Sequence, residues 1–153
     1  MSKKRKSVTP FEKYLTKEIG IEYKACLYFF AMLFFYSIVS LCRRQTMVSI
    51  LHLAEIIAAN YILCYVQVYL LWNFDESDHI GFHEVIGMLV VGLLYAGASF
   101  GFNWFGRNAL ITLGFFVYIL FMFLCANWIN RIRRRIDEKI LNENLLRFKS
   151  REK

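Results

Sequence analysis

Proline occurs once in the 153 residues, at Pro10, and charged residues make up only 20% against 58% apolar and 18% aromatic. With a mean hydropathy of +0.39, so little charge does not fit an ordinary soluble domain of this length. The chain is long enough for several membrane spans but too short for those spans plus a separate folded domain. Its four cysteines (Cys26, Cys42, Cys64, Cys125) lie in or at the edge of apolar runs without C-x-x-C spacing. That pattern leaves neither a disulfide framework nor a metal cluster, and the thiols read as small buried hydrophobes. Also lacking are G-x-S-x-G, H-E-x-x-H, a Gly-rich phosphate loop and paired intramembrane carboxylates, so neither an enzyme nor a cofactor is expected. No repeat or low-complexity segment is present.

What is present is four long apolar runs, which predict an all-α polytopic membrane protein. The expected spans are 25–42, 47–72, 85–105 and 109–128, forming one transmembrane domain over 25–128. Residues 1–24 read as a basic tail followed by a helix in the headgroup layer: Thr9 as N-cap, Pro10 at the first helical position, and Glu12 closing a capping box. Phe11, Tyr14, Leu15, Ile19 and Tyr23 recur there at helical spacing among lysines. No small-residue cleavage site follows, so a removable leader is not expected. Residues 129–153 read as a basic helical tail. Its stripe of Ile129, Ile132, Ile136 and Ile140 drifts to Leu141, Leu145 and Phe148, which is a poor coiled-coil seam. Trp72, Trp104 and Trp128 mark span ends, where an amphipathic ring favours the headgroup level.

Lys and Arg are divided unevenly. Seven precede Ala25, nine follow Asn130, and Asn73–Glu84 has none, whereas the two remaining connections hold only Arg43, Arg44 and Arg107. The positive-inside rule then puts both termini in the cytoplasm, with very short outer loops. Without a DNA-binding fold, the basic ends point to anionic lipid and not to direct nucleic-acid contact.

The second span carries the polar groups. At about 100° per residue, Ser49, His52, Glu55, Asn60 and Gln67 fall within an arc of roughly 140°. Lipid would make that face costly, so it is expected to turn toward protein. His52 and Glu55 suit either a proton-sensitive or ligand-binding pair, or an interhelical clasp with Arg43 or Arg44 nearby; Asn60 and Gln67 suit hydrogen bonds across helices. A channel or pump would need such faces on several helices, and the first and fourth spans add little beyond Ser37, Ser40 and Thr112. In the third span Gly87, Gly97 and Gly101 share one face, with Gly92, Ala96 and Ser99 on another, so it should pack against two neighbours and leaves a homo-oligomer open. The Asn73–Glu84 loop brings His79 and His83 near Asp75, Glu76, Asp78 and Glu84. Gly81 interrupts a helix that would align the two rings, so the loop reads as solvated and acidic rather than metal-binding. Attraction between Asp75, Glu76 and Asp78 and the basic Arg131, Arg133, Arg134 and Arg135 would form one cytoplasmic partner surface.

The runs HLAEIIAANYILCYVQVYLLWNFDE, RNALITLGF and RRRIDEKILNENLLRFK resemble a group of small bacterial four-span membrane proteins known as a domain of unknown function. The likeness spans about Glu18–Phe148. Members of that group are often encoded beside LytTR-type DNA-binding regulators, and similar membrane proteins there hold the regulator inactive. The resemblance implies a non-enzymatic regulator of the bacterial plasma membrane with a cytoplasmic regulator protein as partner. The other expectation is an accessory or structural subunit of a membrane transport complex.

Overall fold

The computed structural model describes residues 9–45, 47–71, 73–77 and 80–151. Four helices follow in order: α1 (Pro10–Cys42), α2 (Ile50–Tyr69), α3 (Phe82–Gly101) and α4 (Ala109–Arg151), with a 3₁₀ turn at Phe74–Glu76. All four are long and apolar enough to cross a membrane. Cross-contacts fix an antiparallel arrangement. Tyr36 meets His52 and Trp104 meets Glu55 at one end, here the top. Lys24 meets Asp75 and Asn130 meets the Asp75 carbonyl at the other, the base. Both described chain ends and the 3₁₀ turn therefore belong to the base.

The expected interfacial helix is not a separate element. α1 runs unbroken for 33 residues, about 50 Å at 1.5 Å per residue. Its only internal helix-weakening residue is Gly20, which costs about 1 kcal/mol relative to alanine and does not end a helix by itself. The capping box is formed as expected: Thr9 Oγ1 accepts from the Glu12 N–H, and Glu12 Oε2 accepts from the Thr9 N–H at 2.8 Å. The basic C-terminal tail is likewise no separate helix. α4 continues through it for 43 residues, since neither glycine nor proline follows Gly114. α2 is shorter than the expected 47–72, because Met47–Ser49 lie outside the helix, with Ser49 extended, and the chain leaves the helix before Asn73, whose φ is 53°. α3 begins earlier, at Phe82, where the Glu84 carboxylate accepts from the Gly81 N–H. It ends earlier too, at Gly101, in a turn that passes through Gly106 at φ 64°.

The backbones of α1 and α2, and of α3 and α4, lie close together, while α2 and α3 meet less extensively. α1 faces α4 across a seam of rings. Tyr28 stands edge-on to Phe123, Phe35 packs on Phe115 and Tyr118, and the Tyr118 hydroxyl donates to the Ala31 carbonyl. The remaining surface is apolar. Phe34, Ile62, Leu93 and Phe121 are each more than 60% exposed, a surface suited to lipid and not to water. Of the cysteines only Cys64 is buried; Cys26 and Cys42, both on α1, are exposed, and Cys125 is half-buried.

The glycines of α3 divide by function. A Cβ on Gly87 would lie 2.9 Å from the Phe74 ring, and one on Gly92 would meet Phe116 and Leu120 of α4 at 3.0 to 3.2 Å. Gly97 and Gly101 have nothing within 4 Å, so the shared face expected for Gly87, Gly97 and Gly101 is not one packing surface. Gly87→Ala should destabilise by about 1–3 kcal/mol through overpacking, while Gly97→Ala, which meets open space inside the same helix, should be neutral or stabilising by up to about 1 kcal/mol. Unfolding in mixed micelles with increasing SDS measures both.

Candidate functional site

The most tightly bonded polar site lies at the base, where the 3₁₀ turn is drawn into the bundle. It begins on α1. Ile21, Ala25, Tyr28, Met32 and Tyr36 are buried at helical spacing, and Lys24 falls in phase with them. Lys24 is 6% exposed, and Asp75 is 1% exposed. The Lys24 ammonium lies 2.9 Å from Asp75 Oδ1 and 2.8 Å from Glu76 Oε1, and it also donates to Asn73 Oδ1. The Tyr28 hydroxyl donates to the second Asp75 oxygen at 2.6 Å. Asn73 Nδ2 in turn donates to Glu76 at 2.7 Å. A buried ion pair is stable only when such additional bonds satisfy both ions, and here both are satisfied.

The turn's carbonyls are held from the opposite side. On α4, Asn127, Asn130 and Arg134 follow at spacings of three and four and share one face. Asn127 Nδ2 donates to the Phe74 carbonyl at 3.2 Å, and Asn130 Nδ2 donates to the Asp75 carbonyl at 3.0 Å. The Arg134 guanidinium donates to the carbonyls of Glu76 and Ser77. Phe74, 1% exposed, anchors the turn edge-on against Phe123 with ring centroids 5.1 Å apart. α1 thus grips the carboxylates of the turn and α4 grips its backbone.

The polar face of α2 divides along its length. Asn60 and Gln67 are each 1% exposed. Asn60 accepts from the Tyr95 hydroxyl at 3.0 Å and donates to the Ile56 carbonyl and to Met32 Sδ. Gln67 lies beside Tyr28, and its Nε2 has no hydrogen-bond partner within range. His52 and Glu55 are half-buried at the top and have separate partners. His52 Nδ1 is 3.1 Å from the Tyr36 hydroxyl, and Glu55 Oε2 accepts from the Trp104 indole N–H at 3.1 Å. Arg43 lies against Gly106 instead. Trp104 is 4% exposed and packs inward as the partner of Glu55, whereas Trp128 is exposed; Trp72 lies outside the described residues.

The acidic loop is not the solvated segment expected from sequence. Asp75 is interior, so its carboxylate forms no exposed surface, and Glu76 is half-exposed while bound to Lys24. On the α4 side, Arg134 binds the backbone carbonyls of Glu76 and Ser77. Arg131 is half-buried, whereas Arg133 and Arg135 are exposed. Asp78 and His79 lie outside the described residues. Among the described residues no three His, Cys, Asp or Glu side chains converge as a metal site.

Lys24, Tyr28, Asn73, Asn127 and Asn130 complete the site without standing out in the sequence. The available signal was the phase of Lys24 in the stripe that continues into the first span, and the three-then-four spacing on α4. These helices define the class: the chain is an all-helical, multi-pass membrane protein. No protein-family model, curated protein or solved structure matches it.

Proposed function

We propose that this protein is a non-enzymatic regulator of the bacterial plasma membrane, with both termini in the cytoplasm, that binds and restrains a LytTR-type transcription regulator through α4. The observation supporting this reading is the projection of α4 beyond the bundle. A span takes about 20 residues, so the helix after Trp128 extends roughly 35 Å past the apolar part. Ile136, Ile140, Leu141, Leu145 and Phe148 on that projection are each at least half exposed. They alternate with charged residues, forming a surface of the helix-in-groove kind.

Restraint that can be relieved requires two helix arrangements with different affinity for the partner. The 3₁₀ turn suits this role better than the polar face of α2, because it joins α1 to the root of the projecting helix. A displaced turn would break the bonds of Asn130 and Arg134 to its carbonyls and change how the α4 tail is held.

The test is purification of the full chain in mild detergent from its native membrane. A LytTR-type regulator should co-purify, and a chain ending after Arg135 should fold but recover less than about a tenth of it, a loss corresponding to about 1.4 kcal/mol or more. Co-purification of transporter subunits in its place, or undiminished capture of the regulator by the shortened chain, would overturn the proposal.

A further inference from the structure

The lower half of α1 touches its neighbours on one face, through Glu18, Ile21, Lys24 and Ala25, and leaves space on either side of that face. Gly20, midway along it, has no atom within 4 Å of where a Cβ would sit. Two grooves open beneath it and share Thr16, Gly20, Lys24 and Glu76 in their linings. The groove toward α2, about 670 Å³, is bordered by Lys13, Lys17, Lys24 and Asn73. The groove toward α4, about 740 Å³, has an apolar wall of Ile19, Tyr23, Leu27 and Ile129, with Arg133 at its edge.

Three observations indicate what would occupy them. The first is position: Lys24 immediately precedes the uncharged run Ala25–Cys42, so Lys17 and Lys13 lie roughly 12 and 18 Å outward from Ala25 along the helix, from where long side chains reach back toward headgroups, while Leu27 faces the acyl region. The second is charge. Lys24 is neutralised by Asp75 and Glu76, but Lys13 and Arg133 have no ion pair among the described residues. Lys17 rests on the Tyr69 ring, 3.7 Å from its centroid, and makes no ion pair among the described residues, although its charge is felt by Glu18, which Tyr65 and Tyr69 hold. The third is the juxtaposition of a basic groove with an apolar one, which matches the two halves of a phospholipid.

We infer that this end of the bundle is a binding site for one anionic phospholipid, with the headgroup phosphate between Lys13 and Lys17 and an acyl chain along Ile19, Tyr23, Leu27 and Ile129. The inference rests only on placement in a membrane and is independent of any regulator. Because the shared lining includes Lys24 and Glu76, a lipid seated here would lie against the clasp on the 3₁₀ turn.

Native mass spectrometry of the full chain in detergent, titrated with phosphatidylglycerol or phosphatidylcholine, tests the inference. One retained phosphatidylglycerol per chain is expected, with weaker retention of phosphatidylcholine. Lys13→Gln/Lys17→Gln should weaken phosphatidylglycerol binding about tenfold or more, whereas Lys139→Gln/Lys149→Gln, equal in charge change, should not. A thermal-shift arm uses glycerol 3-phosphate without acyl chains, which should give no stabilisation at concentrations where phosphatidylglycerol does. Equal retention of the two lipids, equal loss in both double variants, or full stabilisation by glycerol 3-phosphate would each overturn the proposal.

Discussion

Lys24→Met should destabilise the bundle by about 3–5 kcal/mol, the usual consequence of removing one partner from a buried ion pair. Methionine fills the aliphatic volume, so the loss isolates the charge. Asp75 would remain 1% exposed with only the Tyr28 hydroxyl on its carboxylate. Asp75→Asn should cost less, about 1.5–3 kcal/mol, because Lys24 keeps Glu76 and Asn73 as partners. The double variant Lys24→Met/Asp75→Leu should recover much of the loss, since apolar replacements of a whole buried pair are often neutral or better. Unfolding by SDS in mixed micelles should rank Lys24→Met as the least stable of the three. Equal stability of all three with wild type would mean that the pair is solvated.

Phe74→Ala should cost about 3–5 kcal/mol, the range for truncating a fully buried phenylalanine. The ring stands on Phe123 and covers the space left by Gly87, so its removal opens a cavity at the meeting point of the turn, α3 and α4. Phe82→Ala, at the first residue of α3 and 78% exposed, should change detergent-phase stability by less than about 0.5 kcal/mol. Thermal unfolding of the two variants in one detergent compares them directly. Equal losses would show that the turn is not packed inside the bundle.

The four spans were legible because bilayer thickness sets a minimum apolar length that few soluble sequences reach. Asn60 was legible for a related reason: an amide in an apolar helix must find a partner, and it has Tyr95. Lys24 was not. A lysine flanking an apolar run ordinarily extends toward headgroups, and only the position of Asp75, 51 residues away, turns it inward. Asp75 was obscured by the same dependence, since a run of carboxylates looks solvated until a cation on another helix is placed beside it. Trp104 shows the limit of the aromatic-belt rule. Its indole N–H prefers the half-buried Glu55 carboxylate to the headgroup layer. The continuity of α1 and α4 was hidden by the composition change at Ala25 and Trp128, which alters the surroundings of a helix without breaking its hydrogen bonds.

Amide hydrogen exchange of the full chain in lipid nanodiscs tests most directly whether the 3₁₀ turn is a clasped interior element. The amides of Asn73, Glu76 and Ser77, bonded to Gln67, Asn73 and Phe74, should exchange far more slowly than those of the turn at Gly106–Asn108, and Lys24→Met should remove that protection. Exchange at 73–77 as fast as at 106–108 in the wild-type protein would contradict the account.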